Sequence, residues 1–220
     1  VLSRLQLETY EPIRTGLSTD SLSSDALLRE MNNTSVSEGV LRLAEDASGF
    51  AVTGSAQSTS TSPTYLSAWD AVYATSTTPT GPSVFYRLYH GASNPTLISN
   101  DVLPGNESGF SATPIDISTL ATSTYSTLYL EAVLETNATS TTPEIDEWSI
   151  GYQEGPIPLP NISLEVLGSK TIGENDLGES ILKNRFATTT DATGVRGIEN
   201  LEWDTYAISV PTYDIVEACV

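Results

Sequence analysis

Eight residues constrain this chain more than any others: in Leu128-Tyr129-Leu130-Glu131-Ala132-Val133-Leu134-Glu135 every even position is apolar and both acids fall on odd positions. A period of two sends alternate side chains to opposite faces of an extended segment, so this stretch predicts a strand with one buried face and one wetter face. Comparable runs recur roughly every 8 to 12 residues, the spacing of an all-β sandwich; they cover residues 40–43, 50–56, 65–74, 84–90, 125–134 and 145–152. Between them stand Ser-Thr-Ser-Pro, Thr-Thr-Pro-Thr-Gly-Pro, Leu-Pro-Gly-Asn and Thr-Ser-Thr-Thr-Pro. These are turns with a mechanism, because Pro fixes φ and Gly or Asn tolerates the left-handed region.

The flanks complete the pattern. Leu5 and Leu7 alternate with Arg4, Gln6 and Glu8, which predicts an opening strand ending near Pro12. Residues 24–31 predict one short helix, with Leu27, Leu28 and Met31 on one side and Ser24 or Asp25 as cap. Three prolines at alternate positions in Gly155-Pro156-Ile157-Pro158-Leu159-Pro160 remove backbone donors and stiffen the chain, so a linker is placed at 155–160 between domains 1–154 and 161–220. In the second domain Ile162, Leu164 and Val166 alternate, an acidic loop spans 173–179, and a strand covers 181–190. Asp191-Ala192-Thr193-Gly194 then forms a tight reversal before a short strand at 195–198 and a turn at Glu199-Asn200. Leu201 and Trp203 follow, and Tyr206, Ile208 and Val210 close on a last strand. A domain this small is marginal alone, so it is expected to dock against another domain or subunit.

Thr189, Thr190, Asp191, Gly194, Ile198, Leu201, Tyr206 and Val210 fall on the pattern TTDxxGxxxFxxLxxGxYxxxV, and the stretch resembles the closing half of carboxypeptidase regulatory-like and Cna-B-like modules. Trp203-Asp204 stands where that family usually carries Pro-Gly. The resemblance implies a small transthyretin-like or Ig-like β-sandwich used as a spacer in surface and secreted proteins. Residues 85–152, with FYRLYHG, LPGNESGF, PIDIS, YLEAVL and TPEIDEWSIGY, are similar to jelly-roll-like repeats of bacterial surface and pilin-like proteins. The fold expected is therefore all-β: a larger jelly-roll-like sandwich followed by a small one.

Twenty-eight acidic against 9 basic residues give a formal charge of -19. That balance excludes nucleic acid as a natural partner and disfavours anionic membranes. An acidic, lysine-poor surface rich in Ser and Thr, together with the module resemblance, points to an extracellular, secreted or cell-surface location. Cys219 is the single cysteine, so no internal disulfide supports the fold. No window reaches the roughly 20 apolar residues of a membrane helix, and no basic-then-apolar leader opens the chain. The start at Val1 reads as a mature or trimmed piece of something longer.

Chemistry is sparse. His90, the only histidine, ends a predicted strand, and no GxSxG pentapeptide supports a serine triad, so it reads as a strand-end residue. Cys219 reads as a small terminal residue rather than a nucleophile. Glu144, Asp146 and Glu147 beside Trp148 are the acids a glycosidase reading would need, set against solvated charges on a strand. Glu174, Asn175, Asp176 and Glu179 offer hard oxygen ligands in one Gly-flanked loop, a candidate calcium site without the EF-hand order. Trp69, Trp148, Trp203, Tyr86 and Tyr89 are the aromatics available for sugar stacking, although Trp148 and Trp203 sit in core-like alternation. The Cna-B-like resemblance also implies Lys170 or Lys183 as the amine of a covalent crosslink, without a clean match in either position. Asn32, Asn33, Asn106, Asn137 and Asn161 are glycan-acceptor triplets expected on surface loops. The reading that results is a non-enzymatic extracellular structural subunit of a filament or cell-surface assembly, self-associating or joining other surface subunits. Its alternative is a secreted adhesin or carbohydrate-binding module. Trp203 is the expected contact point, covered by the other domain or a neighbour.

Overall fold

The computed structural model describes residues 3–211, and every regular element among them is a β-strand. Two compact units emerge: Ile13–Gly155, and a smaller one made from Val1–Pro12 together with Pro156–Val220.

In the larger unit Leu128–Glu135 forms the middle strand of a five-stranded antiparallel sheet, flanked by Ser83–His90 and Thr53–Ser58, with Thr96–Leu97 and Leu28–Asn32 at the edges. The octapeptide behaves as its period requires: Leu128, Leu130, Ala132 and Leu134 are fully buried, while Glu135 is exposed. A second sheet is built on the long pair Leu66–Thr77 and Glu144–Glu154. The far side of Glu144–Glu154 is shared by Arg14–Asp20 and, at its start, by Val40–Leu43. The two inner faces join in one apolar cluster, with Val84, Tyr86 and Leu88 from one sheet and Leu41, Trp69, Val72, Ile145, Trp148 and Ile150 from the other. Trp69 keeps its polar handle satisfied, its Nε1 donating to the Tyr125 carbonyl at 2.6 Å.

Residues 24–31 do not form the expected helix. Leu28–Asn32 is instead an edge strand on Thr53–Ser58, and Leu27 and Met31 are 47% and 41% exposed. A single turn gains few hydrogen bonds for the torsions it fixes, whereas ladder bonds were available on the open edge of the sheet. The strand Arg14–Asp20 is the opposite surprise, since its core-facing positions are Gly16, Ser18 and Asp20 and carry no apolar signal. Gly16 leaves room for Tyr152, the far end of whose ring would have to move aside for a Cβ there.

Asn106 also departs from expectation. It is fully buried, with Oδ1 accepting from the Leu88 amide at 2.7 Å and Nδ2 donating to the carbonyls of Leu88 and Ile98 at 2.8 and 2.7 Å. Its triplet is therefore not a surface glycan acceptor in the folded unit, while Asn32, Asn33, Asn137 and Asn161 are exposed.

The smaller unit places Ser163–Gly168 between Arg185–Thr189 and Tyr206–Ser209, and pairs Ser3–Glu8 with Val195–Leu201 in a two-stranded sheet. Leu5, Val166, Ile198 and Leu201 form its core, with Leu7, Phe186, Tyr206 and Ile208 packed against them. The opening strand thus completes the C-terminal unit rather than the first sandwich. Its alternation specifies a buried face but no partner, and this partner lies far along the chain. Within the proline stretch Ile157–Pro158 pairs with Tyr10–Glu11. The reversal at Asp191 forms as expected: Oδ1 accepts from the Thr193 hydroxyl and from the amides of Thr193 and Val195, and these bonds hold the carboxyl below its usual range. No turn interrupts Glu199-Asn200. The strand continues to Leu201, and Asn200, with φ of 60°, takes up the register shift opposite Ser3 and Leu5 as a bulge.

Candidate interface at the corner of the smaller unit

Thr171–Glu174 and Ser180–Leu182 form a hairpin whose base is fastened to the turn at 202–205. Asp204 is the fastener. Its Oδ1 accepts from the Ser169 hydroxyl at 2.6 Å and the Thr205 amide at 2.8 Å, and its Oδ2 accepts from the Lys170 amide at 3.2 Å. The Ser169 hydrogen bond, seconded by backbone amides, draws the carboxyl down to about 2. Lys170 Nζ donates to the Trp203 carbonyl, and Lys183 Nζ reaches both oxygens of Glu202 at 2.8 and 2.9 Å. Tyr206 closes the far side, its hydroxyl donating to the Glu202 carbonyl at 3.1 Å. Lys170 and Lys183, the two amines considered for a crosslink, are thus both engaged in holding this turn.

A carboxylate at position 204 satisfies three donors from two strands' ends, the Ser169 hydroxyl and the Lys170 and Thr205 amides, which a glycine there could not do. Because the strand ends at Leu201, the period of two stops there. Leu201 is 4% exposed and Trp203 is 87% exposed, so the indole is not in the core-like position its spacing from Leu201 predicted. Leu177 at the hairpin tip is 84% exposed, and Ile172 and Ile181 on its strands are 66% and 43% exposed. One hairpin and the turn clasped to its base therefore present four large apolar side chains to solvent, on backbone that is already fixed.

The acidic loop does not gather its oxygens into a cage. Asn175 Oδ1 accepts from the amides of Leu177 and Glu179, and Asn175 Nδ2 donates to Glu179 Oε2 at 2.8 Å, so the loop satisfies itself as a turn. Glu174 and Asp176 are exposed beside it. Among the described residues no group of three or more His, Cys, Asp or Glu is placed to hold a metal ion.

An open edge lies in the same unit. Gly168 donates to the Asn184 carbonyl and Thr190 donates to the Ile162 carbonyl. Antiparallel alternation then turns the amides and carbonyls of Phe186 and Thr188 toward the middle strand and those of Arg185, Ala187 and Thr189 outward. A cleft of about 370 Å³ separates this edge from Val195–Leu201, walled by Arg185, Phe186, Thr188, Arg196, Ile198 and Glu199.

The remaining candidates are scattered. Trp69, Trp148 and Tyr86 are in the core. Tyr89 donates to Glu131 Oε2 at 2.9 Å, and burial first, then that bond, pushes its hydroxyl up to about 12. Glu144 lies 3.9 Å from Arg42, while Asp146 and Glu147 are exposed along the same strand. His90 packs edge-on against Tyr125, ring centroids 4.8 Å apart, at the end of its strand. Cys219 lies outside the described residues.

Asp204 predicts a pH signature. Its folded value of about 2 lies below the ordinary 3.8, so its contribution is present above about 3.8 and is lost as pH falls through about 2. The difference in melting temperature between the native chain and Asp204→Asn should be full at pH 5 and shrink steadily as pH falls from about 3.8 through about 2. A difference independent of pH would show that the carboxylate's charge plays no part in the clasp.

No protein family, curated protein or solved structure matches this chain.

Proposed function

We propose that this chain is a non-enzymatic structural subunit of an extracellular or cell-surface assembly, joining neighbouring copies through the smaller unit. The observation that carries the proposal is Trp203, 87% exposed on a turn clasped by Asp204, Lys170 and Lys183. Holding an indole in water on prearranged backbone forgoes burial of a large apolar surface, and covering it on assembly recovers that burial at little cost in ordering. The outward-facing backbone groups of Arg185, Ala187 and Thr189 add the means for strand pairing across a sheet edge. The similarity of residues 189–210 to spacer modules of surface proteins, and the strongly acidic composition, support the extracellular setting.

Light scattering over a range of protein concentrations tests this reading. The native chain should associate reversibly, and Trp203→Ser should weaken association at least tenfold while leaving the melting temperature within about a degree, since an exposed side chain contributes little to the fold. A native chain that stays monomeric at millimolar concentration would overturn it. A carbohydrate-binding role is the second reading, favoured by the same exposed indole. It requires quenching or a blue shift of Trp203 fluorescence on adding glycans, which the assembly reading does not.

A further inference from the structure

Where the two sheets of the larger unit meet lies a small, partly open polar pocket that the function proposed above does not use. It has a volume of about 50 Å³; Ser18, Asp20, Ser58 and Thr61 line its polar side, together with the exposed residues Thr19 and Thr59. Leu130, Trp148 and Ile150 supply its apolar wall, and the half-exposed Leu27 stands on its open side. Asp20 is 8% exposed, and its two oxygens have different circumstances. Oδ1 accepts from the Leu22 amide at 2.8 Å, whereas Oδ2 is buried with no hydrogen-bond partner. The hydroxyls around it are held in place from both sheets: Thr61 donates to Ser18 Oγ at 3.0 Å, and Ser58 Oγ accepts from the Leu130 amide at 2.9 Å while donating to the Thr59 carbonyl at 2.8 Å.

A buried carboxylate oxygen without a partner is among the most costly arrangements a fold can hold, so this wall calls for an occupant. The cavity exceeds the roughly 10–15 Å³ that one water needs. The lining side chains able to ligate an ion, those of Ser, Thr and Asp, offer oxygen and no imidazole or thiolate, which disfavours transition metals. It carries a single carboxylate, and calcium sites gather several charged oxygens while magnesium demands a strict octahedron. One negative charge surrounded by neutral hydroxyls balances one positive charge. We propose that this cavity binds a monovalent alkali cation, sodium or potassium, with Asp20 Oδ2 as the charged ligand and Ser18 and Thr61 as neutral ones. The bound ion would tie the edge strand Arg14–Asp20 to the opposite sheet, where Thr61 bridges to Leu128.

The test compares thermal unfolding of the native chain in sodium, potassium and choline chloride at equal ionic strength. Stabilisation should be saturable and selective, with a melting temperature several degrees higher in one alkali salt than in choline, and sodium-23 NMR should show line broadening that potassium displaces. Asp20→Asn should abolish both effects. Ser18→Ala, a milder change, should weaken the apparent affinity severalfold, and it keeps the test decisive if the Asp20 variant fails to fold. Equal melting temperatures in all three salts with no sodium broadening would overturn the proposal and leave water as the occupant.

Discussion

Asn106→Ala should destabilise the larger unit by about 2 kcal/mol or more, one of the two largest single-residue effects expected in this protein. The side chain satisfies the Leu88 amide, the Leu88 carbonyl and the Ile98 carbonyl from a fully buried position. Its removal leaves the Leu88 amide and the Ile98 carbonyl without the partner it supplies, at about 1–3 kcal/mol for each group that water cannot reach, while the Leu88 carbonyl keeps the Ile98 amide at 3.0 Å. Relaxation of the loop recovers part of that, which is why the lower bound is quoted. Asn106→Asp discriminates between bonding and volume: the acid keeps the shape and the acceptor but loses both donors and faces two carbonyls. It should be at least as damaging as alanine. Denaturant unfolding followed by Trp69 and Trp148 fluorescence reads the result, and a loss below about 1 kcal/mol for both variants would show that the loop does not depend on this residue.

Gly194→Ala should have a comparable effect on the smaller unit. Gly194 has φ of +73°, and a Cβ there would sit 2.5 Å from the Thr9 carbonyl oxygen and 3.1 Å from the Leu159 amide nitrogen. A left-handed backbone costs a non-glycine residue about 1–2 kcal/mol. The overlap adds about 1–3 kcal/mol more, because both neighbours are backbone atoms fixed by other bonds. Thr9 donates through its amide to the Gly194 carbonyl at 2.8 Å and through its hydroxyl to the Leu159 carbonyl at 2.7 Å, so they cannot move aside independently. With four buried residues at its centre, the smaller unit has little stability to spare. Hydrogen exchange should show amides of 163–168 and 195–201 losing protection together while those of 128–135 keep theirs; unchanged protection in the former would contradict the geometry.

Much of this architecture was legible because its strands alternate. The octapeptide at 128–135, the pairing strands near 84–90 and 145–152, and the Asp191 reversal all carry the period or the turn chemistry that the backbone then adopts. Arg14–Asp20 was illegible for a physical reason: its inward face carries a glycine under the Tyr152 ring, a serine and an aspartate, so the rule that strands bury apolar residues finds nothing to register. The helix at 24–31 failed because three apolar residues at helical spacing also suit an edge strand, and only the neighbouring Thr53–Ser58 decides between them. At the candidate interface the oddity of Trp203-Asp204 was visible, but its meaning was divided between the two residues. Asp204 does the fastening and Trp203 stays outside, a division that depends on Ser169 and Lys170 being brought alongside from more than thirty positions away.

The pairing of Ser3–Glu8 with Val195–Leu201 gives the protein an unusual order of assembly during synthesis. Thr9 and Gly194, bonded in the finished fold, stand 185 positions apart in sequence. Residues 13–155 can complete both their sheets as soon as they leave the ribosome, but Leu5 and Leu7 have no partner until residues 195–201 have been made. At about 5–20 residues per second that interval lasts roughly ten to forty seconds. Throughout it an apolar strand of the nascent chain remains available to any open sheet edge, including those of neighbouring copies. The charges of Arg4 and Glu8 at its margins are the local defence against such mispairing. Once the last strands arrive, closure of this long loop locks beginning and end of the described chain into one unit, so that unit cannot be obtained by expressing the C-terminal third alone.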